Sequence, residues 1–325
     1  MQAFIKTLGG KARFDHFSQE HLMGEHGFYA RHVDLRNEWG GAPTPSRITE
    51  TYAKAVAEAV FSMTLDTLKY NQGGNGPFNF AEFGGGAGDF KREFLKQYRQ
   101  YRDSGGQVEI KYISVEPNPH HIEAQQVEGT TVMKGTVQKS GLQDRSIDVL
   151  FDDEVLDCLP FRIFKYDPQK RVITHEAFVT AQPDQLKLDF HPAERDEHVS
   201  LLEKYITAHG KHEEYHVYSP DYHDYWHESF RVLKPGGLRF SIDYGSSPMD
   251  ALFTKPHEWV RNSIQYPYQR DLTHMIDFDL QGILAHTHGF SQVNIVNLSQ
   301  VLDPSIPKTD GLVHGFARHL IFAMK

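Results

Sequence analysis

Residues Phe78 to Phe90, F-N-F-A-E-F-G-G-G-A-G-D-F, decide the fold of this 325-residue chain. An apolar run breaks into glycines and an amphipathic segment follows, so the stretch predicts a strand, a tight turn and the N-terminus of a helix. Glycines suit a turn that approaches a ligand closely, because they carry no Cβ and are not confined to negative φ. The helix from about Asp89 would direct its free N–H groups towards that ligand. The stretch therefore predicts a site for a nucleotide-like cofactor.

The spacing of the glycines distinguishes between nucleotide-like ligands. The pattern acidic-x-Gly-x-Gly-x-Gly is formed by Glu82, Gly84, Gly86 and Gly88, with a further glycine at Gly85. A dinucleotide fingerprint would need glycine where Asp89 stands, and a phosphate-binding loop would need Gly-Lys-Ser/Thr after its last glycine. An acidic residue two positions before the first glycine is instead typical of the first motif of class I S-adenosylmethionine (SAM) methyltransferases. The alternative without a ligand is a glycine-rich surface turn.

Composition narrows the functional class. The formal net charge is −9, which argues against a general nucleic-acid-binding surface because such a surface is basic. No apolar run approaches the ~18 residues that a membrane span needs, and Met1 to Gly10 lacks the apolar core of a signal peptide. The single cysteine, Cys158, excludes an internal disulfide and a cysteine-based zinc site. We therefore expect a globular protein of the cytoplasm that binds neither nucleic acid nor membrane.

Two helices are expected around the glycine stretch. From Ile48 to Leu68, apolar residues at helical spacing define one buried face, formed by Tyr52, Val56, Ala59, Val60 and Met63. Thr44 or Ser46 could cap this helix. Lys91 to Tyr101 reads as the helix that follows the glycine turn.

The next strand supplies a second candidate ligand. Val108 to Pro117 alternates and is rich in β-branched residues, which predicts a strand that ends in Glu116 and Pro117. An acidic residue there, about 30 residues after the glycine turn, can accept hydrogen bonds from both ribose hydroxyls. A short third strand at Thr131 to Met133 leads to Thr136 and Val137, in a loop that could cover an adenine ring.

The fourth strand is apolar and then abruptly acidic. It begins at Ile147 and runs into Asp152, Asp153 and Glu154. In a doubly wound sheet this strand borders the first at the switch point, where ligands bind at the carboxyl ends. We therefore expect all three carboxylates to point towards the cofactor and the substrate, although a cluster of like charges is normally a solvated surface.

Several dispersed motifs resemble one known family. D-E-V-L-D-C-L-P (Asp153 to Pro160) resembles the N-E-x-x-D-A-L-P signature of the MidA-like SAM-dependent methyltransferases, which include the mitochondrial complex I assembly factor, a protein arginine methyltransferase. L-K-P-G-G-L-R-F-S-I-D-Y-G (Leu233 to Gly245) resembles the family's fifth strand. D-L-T-H-M-I-D-F (Asp271 to Phe278) resembles its D-L-T-A-H-V-D-F motif, and G-E-H-G-F-Y-A-R and G-G-A-P-T-P-S resemble its N-terminal segments. The motifs stand in the family's order.

The resemblance implies SAM as the cofactor and a set of site residues. Expected to bind SAM are Thr44, Glu82, Gly84, Gly85, Gly86, Gly88, Glu116, Pro117, Thr136, Val137 and Asp153. Expected to orient the methyl acceptor or take its proton are Asp153, Glu154, Asp243 and Tyr244. The chain also departs from the family: Asp153 stands for its asparagine, Met275 for its motif histidine and His274 for the preceding alanine.

Residues 161–224 separate the fourth strand from the fifth and are too long for a simple crossover. We expect a substrate-side insertion with a helix from about Pro192 to Ala208. Within it, His212 to His216 matches H-E-x-x-H, which would bind zinc only on a helix, where both imidazoles share one face. Gly210 precedes the motif and Pro220 follows it, so a strand is the expected structure, and no metal is expected.

The sequence thus predicts a class I SAM-methyltransferase fold, a Rossmann-like α/β sheet of seven strands with an antiparallel final strand. Residues 1–76 would form an N-terminal cap segment and residues 77–325 the methyltransferase domain. The expected reaction is methyl transfer to a protein arginine or, alternatively, to a small molecule as an O- or N-methyltransferase. A SAM-binding assembly factor without turnover is the alternative of another class. Expected partners are SAM and a methyl acceptor, and a homodimer is considered as the assembly.

Overall fold

The computed structural model describes residues 1–31, 45–70, 77–211, 213–246, 260–268, 272–302 and 318–325. They form two compact units. The first comprises Met1–His32, Asp157–Tyr222 and Ser247–Met275, and the second comprises Val33–Leu156, His223–Ser246 and Ile276–Lys325. The expected N-terminal cap of residues 1–76 therefore contributes to both units. Its role, and that of residues 161–224 on the substrate side, stay predictions.

The second unit is built on the expected sheet. Its strands are β2 (Phe78–Phe83), β3 (Ile110–Glu116), β4 (Thr130–Lys134), β5 (Ile147–Asp153), β10 (Leu233–Ser246), β12 (Gln292–Asn297) and β13 (Arg318–Met324). They lie in the order β12-β13-β10-β5-β2-β3-β4, and the two-residue β11 (Ile276–Asp277) pairs with β10. β13 runs antiparallel to both neighbours, whereas β4, β3, β2, β5 and β10 are mutually parallel. The class I SAM-methyltransferase fold is thereby confirmed, with β5 and β2 adjacent at the switch point.

Helices cover this sheet. They are α4 (Pro45–Tyr70), α5 (Asp89–Asp103), α6 (Pro119–Ala124), α8 (Tyr222–Val232) and α10 (Phe278–Thr287), and a 3₁₀ turn spans Leu298–Gln300. The predicted apolar face of α4 is confirmed, because Tyr52, Val56 and Val60 are buried and Ala59 and Met63 pack against the same core. The helix begins at Pro45, so Ser46 cannot be its N-cap, and Thr44 lies outside the described residues.

Aromatic residues dominate the core between α5 and the sheet. The ring of Phe80 on β2 lies 4.3 Å from Phe94, and Phe90 stacks on Phe151 of β5 at 4.0 Å between ring centroids. Rings of this size bury 150 to 250 Å² each and provide much of a core's stabilisation. This packing fixes the N-terminus of α5 against the carboxyl ends of β2 and β5, which positions the glycine loop.

The first unit contains an antiparallel sheet that was not expected. Its strands are β1 (Lys11–Arg13), β6 (Arg162–Asp167), β7 (Val172–Ala181), β8 (Leu186–Pro192) and β9 (Tyr215–Tyr218), accompanied by α1 (Gln2–Thr7), α2 (Phe14–Met23), α3 (Phe28–Arg31), α7 (Glu197–Ala208) and α9 (Arg261–Gln265). The helix expected from Pro192 begins only at Glu197, because Pro192 ends β8 and Asp196 caps α7 by accepting a hydrogen bond from the backbone N of Val199 at 2.8 Å.

A buried ion-pair network stabilises this first unit. The guanidinium of Arg162 is fully buried and donates two hydrogen bonds to Glu176, at 2.7 and 2.8 Å, and one to Asp196 at 2.6 Å. A buried charge requires such pairing, because its removal from water is costly. None of the described helices has the length and apolarity needed to cross a membrane.

Candidate functional site

The glycine loop lies between β2 and α5, as expected. Gly84, Gly86 and Gly88 have φ values of 65°, 51° and 78°, and residues with a Cβ rarely adopt this region. The backbone N of Gly84 donates to the carbonyl of Val115 at 2.9 Å. A Cβ at Gly84 would lie 2.8 Å from the Val155 side chain, whereas one at Gly86 would meet nothing within 4 Å. The loop thus leaves open space at Gly86, where a ligand can approach the backbone.

Glu82 is a buried carboxylate in the strand that precedes the loop. It is 2% exposed and accepts a hydrogen bond from the Tyr112 hydroxyl at 2.7 Å. Burial raises its pKa to about 7; the Tyr112 bond and the charge of Lys91 oppose this rise, and the charges of Glu116 and Asp153 add to it. Because β2 pairs in parallel with both β3 and β5, Glu82, Glu116 and Asp153 lie towards the same edge of the sheet on adjacent strands.

Glu116 ends β3 beside the glycine loop. Its carboxylate accepts hydrogen bonds from the backbone N of Gly86 at 3.1 Å and of Asn118 at 3.0 Å, and the Nδ1 atom of His121 lies 3.6 Å away. The side chain is buried. Its position at the strand end agrees with the expected ribose contact, and the contact itself stays a prediction.

The loop after β4 adjoins Glu116 through the backbone. Gly135 donates its N–H to the carbonyl of Glu116 at 3.3 Å. Thr136 is exposed and its Oγ1 accepts from the N of Lys139 at 3.2 Å, whereas Val137 is buried. Pro117 is half-buried directly after Glu116. These positions keep the loop at the cofactor edge of the sheet, and its contact with adenine stays a prediction.

Asp153 ends β5 and Glu154 follows it, and both side chains are half-buried. Asp153 accepts a hydrogen bond from the Tyr52 hydroxyl of α4 at 3.0 Å. Glu154 has a φ of 55°, unusual for a residue with a side chain, and its backbone N donates to the carbonyl of Ile242 on β10 at 2.8 Å. Tyr52 had been expected only as a core residue.

The side chain of Asp152 lies on the opposite face of the sheet from that of Asp153, and the expectation that Asp152 points towards the ligand is wrong. Its buried carboxylate accepts from the Tyr225 hydroxyl at 2.8 Å and from Ser241 Oγ at 2.7 Å, and it pairs with the fully buried Arg239. Successive strand residues face opposite sides of a sheet. Asp152 therefore serves the buried network on one face of the sheet, and Asp153 lies on the other.

Asp243 and Tyr244 occupy the end of β10. Asp243 is fully buried and accepts from the backbone N of Tyr244 at 2.8 Å. Ile242 pairs with Asp153 across the two parallel strands, so alternation places Tyr244 on the face of Asp153 and Asp243 on the opposite face. Their contact with the acceptor stays a prediction, as does that of Thr44, which lies outside the described residues.

The H-E-x-x-H segment has no helical geometry where the structure describes it. His216 lies on strand β9, is buried, and its Nε2 is 3.0 Å from the carbonyl oxygen of Glu213. Burial lowers the pKa of His216 to about 4. His212 lies outside the described residues. Over the described ranges, no three His, Cys, Asp or Glu side chains are arranged to hold a metal ion.

The cofactor edge contains three further residues that sequence reasoning did not identify. Tyr112 bonds Glu82, while Gln125 and Lys91 contact each other beside the glycine loop. Lys91 carried only a weak signal, a charged residue in the first turn of a helix, and Gln125 carried none. Together with the open space at Gly86 and the carboxylates of Glu82 and Glu116, they form the candidate cofactor site. Carboxylate oxygens accept hydrogen bonds from ammonium and hydroxyl groups, and SAM carries both in its methionine part and its ribose.

Comparisons with known proteins agree with this geometry. Residues 57–295 match the model of the family described as "Putative S-adenosyl-L-methionine-dependent methyltransferase". No curated protein sequence matches significantly.

Two crystal structures of Burkholderia thailandensis proteins share the fold. One is the native structure of an uncharacterised protein, with a TM-score of 0.68 at 17% identity. The other was crystallised with S-adenosyl-homocysteine and has a TM-score of 0.70 at 16% identity. Each comparison covers 100% of this chain and 90% of the other. Because the family model matches well over half of the sequence, the chain belongs to the family of SAM-dependent methyltransferases, as its motifs predicted.

Proposed function

We propose that this SAM-dependent methyltransferase methylates a nitrogen nucleophile and that its acceptor is an arginine side chain of a protein. The observation that carries the proposal is the pair of half-buried carboxylates, Asp153 and Glu154, at the carboxyl end of β5. Carboxylates at such a position hold a guanidinium in bidentate fashion, which adds geometric selectivity to charge attraction. The resemblance to a family that includes an arginine methyltransferase supports the same choice.

The cofactor contacts follow from the order of the acidic strand ends. Glu82 would hold the α-ammonium of the methionine part, with the loop from Gly84 to Gly88 closing around it. Glu116 would accept from the ribose hydroxyls, and Thr136 and Val137 would lie beside adenine. The positions of Glu82 and Glu116 on adjacent strands β2 and β3 support this arrangement.

Methyl transfer requires the protein mainly to align the acceptor with the methyl group of SAM. Bound SAM supplies a methyl group on a sulfonium, which departs as a neutral thioether. Asp153 and Glu154 would hold the acceptor nitrogen in line with the S–CH₃ bond, since effective alignment contributes much of the rate in such transfers. As the N–CH₃ bond forms and the S–CH₃ bond breaks, a carboxylate would take the proton that the nitrogen loses. The hydrogen bond from Tyr52 supports a fixed orientation of Asp153.

A small-molecule acceptor is the second candidate. Met275 and Asp153 replace the histidine and the asparagine of the motifs that the chain resembles, and both changes fall in segments expected on the acceptor side. A biosynthetic O- or N-methyltransferase would tolerate such changes, because its acceptor differs from an arginine side chain.

Transfer of labelled methyl groups tests the proposal. Lysate of the source organism, incubated with methyl-labelled SAM and the protein, should give labelled methylarginine in protein hydrolysates. Asp153→Ala should abolish transfer while calorimetry still detects SAM binding, and Asp184→Ala, at an exposed position, should behave as wild type. Label confined to metabolites would favour the second candidate, and normal transfer by Asp153→Ala would refute the role of Asp153.

A further inference from the structure

Gln125 is a buried polar residue that the cofactor contacts do not use. It follows the last residue of α6 and is 0% exposed. Its Nε2 donates a hydrogen bond to the carbonyl oxygen of Gly86 at 2.8 Å and lies 3.5 Å from a carboxylate oxygen of Glu116. A single side chain thus joins the glycine loop to the candidate ribose ligand.

The space around Gln125 explains two of the glycines. A Cβ at Gly85 would lie 3.1 Å from Gln125 Nε2 and 2.5 Å from the Glu82 carboxylate, and a Cβ at Gly88 would lie 3.2 Å from Gln125 Cγ. Such distances are tighter than ordinary van der Waals contact. These two glycines therefore accommodate protein side chains, whereas Gly86 alone faces open space. Contact of the four loop glycines with the cofactor stays a prediction.

The backbone of Gln125 is held from the other side of the loop. The Nζ atom of Lys91, which is 0% exposed, donates to the carbonyl oxygen of Gln125 at 2.7 Å and lies 5.4 Å from the Tyr112 ring centroid. Lys91 lies in the first turn of α5, directly after the loop. A buried ammonium is costly unless it is paired, so its bond to Gln125 fixes α5 and α6 relative to each other.

Gly86 is constrained at both of its polar groups. Its N–H donates to Glu116 and its carbonyl accepts from Gln125, at 3.1 and 2.8 Å. Rotation of either peptide unit would break one of these bonds. The side chain of Gln125 thereby determines which way the loop presents its backbone and where the Glu116 carboxylate lies.

We propose that Gln125 is a positioning residue of the cofactor site, the internal template around which residues 84–88 fold before SAM binds. This inference rests on the proposed function, in which the loop and Glu116 hold the cofactor. Preorganisation of a binding loop increases affinity because less freedom is lost on binding. Gln125 acts through Gly86 and Glu116 and makes no contact with the reacting atoms.

Calorimetric titration of SAM into the full-length protein tests the proposal. Gln125→Met keeps the unbranched side chain and removes the amide, and Gln125→Asn keeps an amide but withdraws it from Gly86. Both should weaken SAM affinity by about tenfold or more, which corresponds to about 1.4 kcal/mol and to the loss of one buried hydrogen bond. Gln126→Met, at the exposed neighbouring position, should bind as wild type.

Hydrogen exchange separates positioning from general stabilisation. In both Gln125 variants the peptide that contains residues 84–88 should exchange faster, at a temperature where all variants are folded. SAM affinity within threefold of wild type in either folded variant would overturn the proposal, whatever the melting temperature. Glu116→Ala is measured in parallel: if it also leaves affinity unchanged, the site assignment itself fails, whereas a loss only in Glu116→Ala overturns the role of Gln125 alone.

Discussion

Replacement of Glu82 tests the site most directly, because ionisation of its carboxylate should lower the stability of the fold and strengthen the binding of SAM. Its carboxylate is buried and its pKa is raised from 4.5 to about 7. At about 1.4 kcal/mol for each pH unit, this difference corresponds to about 3 kcal/mol. Because the folded state holds this proton more tightly than the unfolded state does, stability falls as pH rises from 4.5 to 7, and the loss is complete above pH 7.

Glu82→Gln should remove this pH dependence. The amide oxygen still accepts from Tyr112, whose hydroxyl lies 2.7 Å from the Glu82 carboxylate. Urea unfolding should therefore show that the free energy of unfolding of Glu82→Gln, relative to wild type, increases by about 2 kcal/mol between pH 5 and 7.5. Glu123→Gln, at an exposed position on α6, is the control and should show no such increase.

SAM affinity should respond in the opposite sense. If ionised Glu82 holds the α-ammonium, the binding-competent fraction rises about eightfold between pH 6 and 7.5, and wild-type affinity should rise with it. Glu82→Gln should bind SAM at least tenfold more weakly at pH 7.5 and lose most of this dependence. The reasoning would be refuted if wild type and Glu82→Gln bound SAM equally well at pH 7.5. It would also be refuted if the difference between their free energies of unfolding did not change with pH.

Three further substitutions address the surrounding structure. Tyr52→Phe should lower the transfer rate several-fold with SAM affinity unchanged, because the hydrogen bond that orients Asp153 is lost while the ring is kept; a single-turnover assay checks this. Gly85→Ala should weaken SAM binding more than tenfold in calorimetry, since its Cβ would lie 2.5 Å from the Glu82 carboxylate. Asp196→Ala should lower the free energy of unfolding by about 3 kcal/mol, because a helix cap and one partner of a buried guanidinium are lost together, and urea titration measures it.

Much of the fold could be predicted from the chain alone. The apolar runs that end in Glu82, Glu116 and Asp153 each became a parallel strand, and the change to helical spacing after the glycines placed α5 correctly. These signals are local: a buried strand is a continuous apolar run, and its end is marked by the first polar residues. The connectivity of such strands leaves few possible sheet orders, so the acidic ends had to converge on one edge.

The antiparallel sheet of the first unit was missed although its strands carry a usable signal. V-I-T-H-E-A-F-V-T-A (Val172–Ala181) is rich in β-branched and aromatic residues. The length of residues 161–224 indicated only a substrate-side insertion with one helix, whereas in the structure Glu176 of this strand is buried and accepts hydrogen bonds from Arg162. When the partner of a polar residue is distant in sequence, the local pattern predicts that the residue is exposed, because the pairing is not visible in the sequence.

The sequence by itself determined the sheet, the cofactor class and the acidic residues at the strand ends, because each of these features is predicted by a pattern of contiguous residues. Tertiary structure alone decided that Asp152 and Asp153 serve opposite faces, that Tyr52 reaches Asp153 from α4, and that Gln125 fills the glycine loop. These relations join residues far apart in the chain, and they depend on strand alternation and side-chain reach. Such contacts form only when the core has packed, and therefore no local sequence pattern predicts them.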